Sequence, residues 1–213
     1  RLYPLLQHPP FGYHYENHRG FVLEGGAIET DGHGTLLTTT SCLCSPNRNA
    51  HLNPDEIEQH LKTFLGVDRV LWLHHGHLPG DDTDGHIDTL ARFAPNRTIL
   101  YATAQPTDPH YTDMRAMARE LADIAPDFRR VPLPAPSLTA DENGQLLPAT
   151  YANYLVTNGG VLVPTYAQPD TDRQALLIIA EAFPQRKVIG IDCNELIRQH
   201  GSLHCSTMQL HKI

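Results

Sequence analysis

Two distant segments of this 213-residue sequence carry the side chains needed for covalent attack on a carbon that is bonded to nitrogen. Cys205 lies in the run Gly-Ser-Leu-His-Cys-Ser-Thr, and His86 and Asp88 lie in the earlier run Gly-Asp-Asp-Thr-Asp-Gly-His-Ile-Asp. A thiolate is a strong nucleophile, an imidazole transfers protons near neutral pH, and a carboxylate binds cationic nitrogen groups. We therefore predict an enzyme whose fold brings the two segments together.

Each of these residues also has a purely structural interpretation. A free cysteine is most commonly a small, buried apolar side chain. His86 and Asp88 could form a surface pair, but residues two apart on a strand point to the same side. If a strand begins at residue 87, as its apolar pattern suggests, the imidazole and the carboxylate are expected to line one pocket.

A second polar cluster offers ligands of the kind that zinc uses. His74, His75 and His77 supply imidazoles, and Cys42 and Cys44 could add sulfur. Their spacing matches no common zinc motif, and the sequence contains no Cys-x-x-Cys. This pattern favours a loop over a metal site.

Glu24 is followed by a glycine pair, which puts a carboxylate next to a flexible backbone. A turn before a strand is the competing interpretation. The glycine pairs at 25–26 and 159–160 do not form phosphate loops, because no helix begins directly after them and no Lys-Ser/Thr follows.

The net charge, the apolar runs and the cysteine spacing restrict the possible functions and location of the chain. The formal net charge is −8, which argues against a nucleic-acid binder and an anionic-membrane partner. No run of about 18 apolar residues is present, so no membrane span is expected. The four cysteines lack the spacing of a disulfide scaffold. A reducing compartment, and hence a cytoplasmic location, is the simpler expectation.

Three segments repeat the order strand, strand, helix, strand. In the first, Asp-Gly between two β-prone runs is a hairpin signal. Asn53 and Glu56 form a capping-box pattern at the start of a helix that ends at Gly66. The strands of this unit are expected at 26–30, 35–40 and 70–73.

The second and third segments follow the same order. The second is expected to have strands at 87–93, 98–102 and 130–133 around a helix at 111–124. The third is expected to have strands at 152–156, 161–165 and 188–191 around a helix at 170–183. The alternative is a generic α+β chain whose elements alternate by chance. A ring of repeated units would bring equivalent edges, and the polar residues on them, to one centre.

Seven motifs, in this order and spacing, resemble the agmatine deiminase family, which is related to bacterial peptidyl-arginine deiminases. They begin at Glu24, Thr35, Asn47, Gly80, Asn158, Val188 and Leu203, and read EGG, TLLTT, NRN, GDDTDGHID, NGGVLVP, VIGID and LHC. The resemblance covers nearly the whole chain from Phe21 onward. It implies a pentein-type α/β propeller of five strand-strand-helix-strand units, about three of which lie in this chain.

The resemblance implies hydrolysis of a guanidine to a ureido group and ammonia, without a cofactor or a metal. Agmatine is the expected substrate and N-carbamoylputrescine the expected product. Arginine, peptidyl-arginine and amidinotransferase chemistry are alternatives from the same fold. A non-catalytic fragment or binding module is an alternative of another class.

The resemblance also implies a role for individual residues. Cys205 would be the nucleophile, His86 the acid and base, and Asp88 a ligand of the guanidinium. Three further side chains are expected at or near the substrate pocket, namely Glu24, Asn158 and Asp82.

The domain organisation follows from the same comparison of motifs. Residues 1–20 are expected to form an irregular leader, and residues 21–213 a single α/β-propeller catalytic domain. The family's N-terminal motif, Trp-Met-Arg-Asp-Thr-Gly-Pro, whose aspartate also binds the guanidinium, does not occur in this sequence. The N-terminal part of the domain is therefore expected to be missing. Expected partners are a small cationic guanidine, a second copy of the chain and a separate N-terminal fragment of the same protein.

Overall fold

The computed structural model describes residues 7–8, 12–14 and 16–210. Parts of the predicted leader and the last three residues of the predicted catalytic domain lie outside the described residues. Within the described part, no helix combines the length and the apolar character that a bilayer crossing requires.

Three three-stranded sheets share one topology. In each sheet an antiparallel hairpin comes first, and a helix then leads to a third strand that runs parallel to the second. The predicted order of strand, strand, helix and strand is thus confirmed for all three units.

The bounds of the elements are as follows. The first unit comprises β1 (Ile28–Thr30), β2 (Thr35–Thr39), the short helix α1 (Thr40–Leu43), α2 (Pro54–Leu65) and β3 (Arg69–Leu73). The second comprises β4 (Ala91–Ala94), β5 (Thr98–Tyr101), α3 (Tyr111–Ile124) and β6 (Arg129–Pro132). A two-stranded ribbon, β7 (Thr139–Ala140) and β8 (Leu146–Leu147), precedes the third unit. The third comprises β9 (Leu155–Val156), β10 (Gly160–Thr165), α4 (Pro169–Ala182) and β11 (Lys187–Asp192).

The ends of helix α2 form as the sequence predicts. The side chain of Asn53 accepts a hydrogen bond from the Glu56 amide at 3.0 Å, and the Glu56 carboxylate accepts one from the Asn53 amide at 2.8 Å. Gly66 ends the helix with φ of 65°, in the left-handed region that favours glycine. Ile57 and Leu61 are buried, and they hold the helix against its sheet.

The prediction of a strand that begins at residue 87 is wrong. Ile87–Thr89 forms a 3₁₀ turn instead, and β4 begins only at Ala91. The Thr89 hydroxyl and amide both donate to the carbonyl of His86, at 2.8 and 3.2 Å, which closes the turn. His86 and Asp88 are therefore positioned by a turn and not by strand alternation.

The first strand of the third unit is also shorter than predicted, with β9 covering only Leu155–Val156. The carbonyls of Ala152 and Tyr154 accept hydrogen bonds from the guanidinium of Arg92, at 3.5 and 2.8 Å. The backbone before β9 therefore binds the Arg92 side chain of the second unit and does not extend the pairing of β9 with β10.

A buried ion pair joins the three units. Arg92, on β4, is only 4% exposed, and its Nε donates to Glu29 of β1 at 2.7 Å. The other carboxylate oxygen of Glu29 accepts from the amide of Phe93 at 3.0 Å. Since Arg92 also binds the carbonyl of Tyr154, this pair fixes the relative positions of the units that carry the polar turns described below.

We expect Arg92→Met to lower the free energy of unfolding by about 3–5 kcal/mol, because it leaves the buried Glu29 carboxylate without its cation. Urea denaturation followed by circular dichroism measures the change. Arg129→Met is the matched control, since Arg129 pairs with Glu181 on the surface and its loss should cost no more than about 1 kcal/mol. Equal effects of the two substitutions would contradict the joining role of Arg92.

Candidate active site

A cavity of about 610 Å³ lies where three short 3₁₀ turns meet. The turns are Gly25–Ala27, Ile87–Thr89 and His204–Ser206. Five of the six site residues predicted from the sequence line this cavity, namely Glu24, Asp82, His86, Asp88 and Cys205. The fold thus brings the late cysteine and the earlier histidine and aspartate into one place.

Asn158 is not among the residues that line the cavity. It is exposed in the turn between β9 and β10, so the structure does not bring it together with the other five predicted residues. Two residues that the sequence analysis did not single out, Asn153 and His204, occupy the neighbourhood of Cys205 instead. Asn153 had one visible signal, since it is a lone amide in an otherwise apolar run that reads as a buried strand.

The first turn approaches the second so closely that only a glycine fits between them. A Cβ on Gly26 would lie 2.5 Å from Nδ1 of His86 and 3.0 Å from Oδ2 of Asp88. The Thr39 hydroxyl donates to the Gly85 carbonyl at 2.6 Å and fixes the segment before His86. The glycine pair after Glu24 therefore lets the backbone pack directly against the two polar side chains.

His86 and Glu24 form a hydrogen-bonded pair across the cavity wall. Nε2 of His86 lies 2.8 Å from Oε2 of Glu24. Burial opposes ionisation of Glu24, but hydrogen bonds from His86 and Arg48 outweigh it and hold the pKa of Glu24 below its usual value. The contact with Glu24 occupies Nε2 of His86 and leaves Nδ1 as the ring nitrogen for proton transfer.

Asp88 presents a buried carboxylate oxygen that has no partner. The residue is 0% exposed, and its Oδ2 lies 2.8 Å from Nδ1 of His204 and 3.7 Å from the Cys205 sulfur. Its Oδ1 makes no hydrogen bond within the described residues. An unpaired buried acceptor is costly, so this atom is suited to bind the N–H group of a ligand.

Asn153 connects the nucleophile candidate to this carboxylate. The side chain is fully buried, and its Nδ2 donates to the Cys205 sulfur at 3.2 Å and to the Asp88 carbonyl at 3.3 Å. Its Oδ1 accepts from the amides of His204 and Cys205, at 2.8 and 3.3 Å. One amide thus holds the cysteine turn against the aspartate turn.

The environment keeps Cys205 protonated in the empty site. Although the residue is exposed as a whole, desolvation of its sulfur, together with the negative charge of Asp88, raises the pKa of the thiol to about 11. The hydrogen bond from Asn153 acts in the opposite direction but is the smaller effect. A cation bound at Asp88 would remove the second cause of the shift and favour the thiolate.

Glu24, Cys42 and His86 have donor atoms within 4.8 Å of one another, a spacing that a metal ion could use. Two features oppose metal binding. Arg48 already places a positive charge on Glu24, with Nε 2.8 Å from Oε2. Burial raises the pKa of the Cys42 thiol to about 12, so a thiolate ligand is costly there.

The histidine run at 74–77 does not form such a group in the described part of the chain. Nδ1 of His74 lies 3.2 Å from the Thr40 hydroxyl, and Nδ1 of His75 lies 3.3 Å from Glu120. These contacts match the loop that the sequence favours.

Comparison with known proteins gives the following relatives. The model of the Porphyromonas-type peptidyl-arginine deiminase family matches residues 7–210. A Vibrio parahaemolyticus protein provisionally named agmatine deiminase is 39% identical over 216 residues, which cover 89% of this chain. The chain spans 58% of the length of that relative.

Solved structures similar to this chain include the following two. A Porphyromonas gingivalis protein, provisionally called an arginine deiminase, is 57% identical with a TM-score of 0.87, and the match covers 91% of this chain and 58% of that one. Agmatine deiminase of C. jejuni with substrate bound is 37% identical with a TM-score of 0.90, over 96% of this chain and 60% of that one. These likenesses confirm the predicted pentein-type α/β propeller, of which three units are described above.

Two substitutions are expected to move the pKa of Cys205 in opposite directions. Asp88→Asn removes the neighbouring negative charge and lowers the pKa, so alkylation by iodoacetamide at pH 8 becomes faster. Asn153→Ala removes a hydrogen bond to the sulfur and raises the pKa, so alkylation becomes slower. The rate at Cys205 is followed by peptide mass spectrometry, with the exposed Cys44 in the same sample as the internal control. Shifts of the same sign would contradict this account of the site.

Proposed function

Because the chain belongs to the Porphyromonas-type peptidyl-arginine deiminase family, we propose that it is a hydrolase that converts agmatine and water to N-carbamoylputrescine and ammonia. The observation that carries this proposal is the buried carboxylate of Asp88, whose Oδ2 lies 3.7 Å from the Cys205 sulfur and whose Oδ1 makes no hydrogen bond within the described residues, in a cavity that also contains His86. A guanidinium supplies the N–H donors, the positive charge and the electrophilic carbon that these three groups require.

Substrate binding and activation of the nucleophile are coupled in this proposal. A guanidinium is planar and offers paired N–H groups to a carboxylate. When it binds Asp88, its charge offsets that of the carboxylate, which otherwise raises the pKa of Cys205. The thiol then loses its proton to His86, whose imidazole is oriented by the hydrogen bond between Nε2 and Glu24. The reactive thiolate therefore forms when substrate is present.

The first half of the reaction forms a covalent intermediate. The Cys205 thiolate attacks the guanidinium carbon, and the C=N electron pair moves onto nitrogen to give a tetrahedral adduct. Protonated His86 transfers its proton to a terminal amino group, the C–N bond breaks, and ammonia leaves. A thiouronium that links Cys205 to the substrate carbon remains.

The second half releases the product. Neutral His86 takes a proton from water, and the resulting hydroxide attacks the thiouronium carbon. The C–S bond breaks, its electron pair returns to Cys205, and loss of a proton from the product oxygen leaves the ureido group. Solvent takes up the proton lost from the product. As the product leaves, the imidazolium returns its proton to the thiolate, and the site is again the thiol and neutral imidazole with which the cycle began.

The charges of the cavity support agmatine over free arginine. Among the described residues that line it, the charged side chains at neutral pH are Glu24, Asp82 and Asp88, and there is no lysine or arginine. An acidic lining attracts a dication and repels an α-carboxylate.

Peptidyl-arginine is the second candidate substrate class. An adjoining cavity of about 550 Å³ shares Asp82 and His200 with the first, so the two together could accept a longer substrate. The likeness to the P. gingivalis structure supports arginine substrates as a class to be tested.

We propose two protein partners and a location. The resemblance assigns a second guanidinium-binding carboxylate to a motif that this sequence lacks, so a separate N-terminal fragment of the same protein would supply it. A second copy of the chain is the other partner, and exposed apolar side chains such as Leu177 and Met208 offer surface to either. A free thiol nucleophile must stay reduced, which supports a cytoplasmic location.

We expect the chain, alone or mixed with the N-terminal fragment, to release ureido product and ammonia from agmatine. Cys205→Ala should lower the rate by more than about 10³-fold, because no other thiol among the described residues lines the cavity to form the covalent intermediate. Cys44→Ala is the matched control and should keep full activity. A colorimetric ureido assay and an ammonia assay measure the reaction, and no product under either condition would overturn the proposal.

The second expectation concerns the charge at the mouth of the cavity. Asp82→Asn should raise KM for agmatine by about 5-fold, because an exposed carboxylate attracts the distal ammonium by about 1 kcal/mol. It should leave KM for a peptide with an internal arginine within about 2-fold. Steady-state kinetics with both substrates provide the test, and an equal effect on both would count against agmatine specificity.

A further inference from the structure

Arg48 lies behind the proposed acid and base and is not among the residues that line the cavity. Its side chain is only 9% exposed, although it carries a permanent charge. Nε donates to Oε2 of Glu24 at 2.8 Å, Nη1 to Oδ2 of Asp84 at 2.7 Å, and Nη2 to the carbonyl of Thr83 at 2.9 Å. One guanidinium thus contacts both segments that form the Glu24–His86 pair.

The first of these contacts orients Glu24. Its side chain is 43% exposed, so without a partner it would sample several rotamers. The same oxygen, Oε2, accepts from both Arg48 and His86 at 2.8 Å. Because Arg48 is anchored by two further bonds, it fixes the position in which Glu24 meets the imidazole.

The other two contacts orient the segment that carries His86. Asp84 has φ of 62°, a left-handed conformation that costs free energy outside glycine. Its carboxylate is held by Arg48 and, at 3.1 Å, by the hydroxyl of Ser45. The amide of His86 in turn donates to the hydroxyl of Thr83 at 3.2 Å. The turn that Arg48 holds therefore sets the backbone position of His86.

We propose that Arg48 is a positioning residue of the deimination reaction, which holds Glu24 and the Thr83–Asp84 turn so that the Glu24–His86 hydrogen bond forms. This inference rests on the proposed function for its effect on catalysis. A lysine could replace the charge but not the three fixed directions of the guanidinium, because an ammonium is a point charge on a flexible stem.

The charge of Arg48 adds a consequence for pH. The ionisable groups that face the Glu24 carboxylate are Arg48, His86 and the Cys42 thiol, whose sulfur is 3.9 Å away, with Asp84 on the far side of Arg48. Burial raises the pKa of Glu24, but His86 and Arg48 lower it by more, so the net shift is downward. Removal of Arg48 should therefore raise the pKa of Glu24. Since Glu24 acts in its ionised form in the proposed reaction, acidification would abolish the activity of the variant at a higher pH than that of the wild type.

The kinetic experiment compares Arg48→Gln, Arg48→Lys and the surface control Arg129→Gln with agmatine as substrate, in the preparation in which the wild type is active. For Arg48→Gln we expect kcat to fall about 10–100-fold, KM to change less than 3-fold, and the acid limb of the kcat–pH profile to move to higher pH. Arg48→Lys should lie between Arg48→Gln and the wild type, and Arg129→Gln should match the wild type. An unmoved acid limb, or equal losses in kcat and in folded protein, would overturn the proposal.

A second readout does not depend on activity. The ¹³C shift of the Glu24 carboxyl, assigned with Glu24→Gln and followed against pH by NMR in the 213-residue chain, reports its pKa directly. We expect a higher pKa in Arg48→Gln than in the wild type, and no change in Arg129→Gln. Suppose that no preparation deiminates agmatine but the pKa of Glu24 is higher in Arg48→Gln. The proposed function then fails, while the positioning of Glu24 by Arg48 stands. If Glu24 has the same pKa in Arg48→Gln and in the wild type, the positioning role is wrong, whatever the activity.

Discussion

A carboxylate buried without a full set of partners, that of Asp88, is the constraint on which the rest of this structure depends. Its Oδ2 faces His204 and the Cys205 sulfur, and its Oδ1 faces no donor within the described residues. Such a group costs free energy in the empty protein. The surrounding units must therefore be stable enough to hold it, and a cationic ligand is the chemistry that relieves the cost.

The same carboxylate sets the state of the nucleophile. It is one of two causes that raise the pKa of Cys205, the other and larger being desolvation. In the proposed reaction, the thiol is protonated until a cation offsets the charge of Asp88. Selectivity for cationic substrates would thus be a property of the activation step as well as of binding. This protects the thiol from modification by neutral reagents at neutral pH.

Three polar side chains give the site its rigidity, and two of them, Arg92 and Asn153, are buried. Arg92 joins β1 and β4 to the backbone before β9, and so fixes the three units relative to one another. Asn153 then uses both ends of its amide to hold the cysteine turn against Asp88. Arg48 performs the corresponding task for Glu24 and the turn before His86. In each case one side chain with several directed donors or acceptors connects segments that are far apart in the sequence.

Local signals in the sequence determined the elements and the types of the reacting groups. The cap at Asn53, the left-handed Gly66 and the alternation of strands and helix depend on neighbours within a few residues, so they could be predicted. The chemistry and the motifs of Cys205, His86 and Asp88 made them candidates, and their catalytic roles stay predictions. The tertiary structure alone decided that His86 and Asp88 lie at a 3₁₀ turn, and that Asn153 contacts the Cys205 sulfur. It also revealed Arg48 behind Glu24. The physical reason is distance along the chain. The contacts of Arg48 and Asn153 join residues from 24 to more than 50 positions apart. The turn at 87–89, although closed by local bonds, follows a segment that Thr39 fixes from 46 positions before Gly85. Their geometry is set by the packing of one unit against another, which no local pattern records.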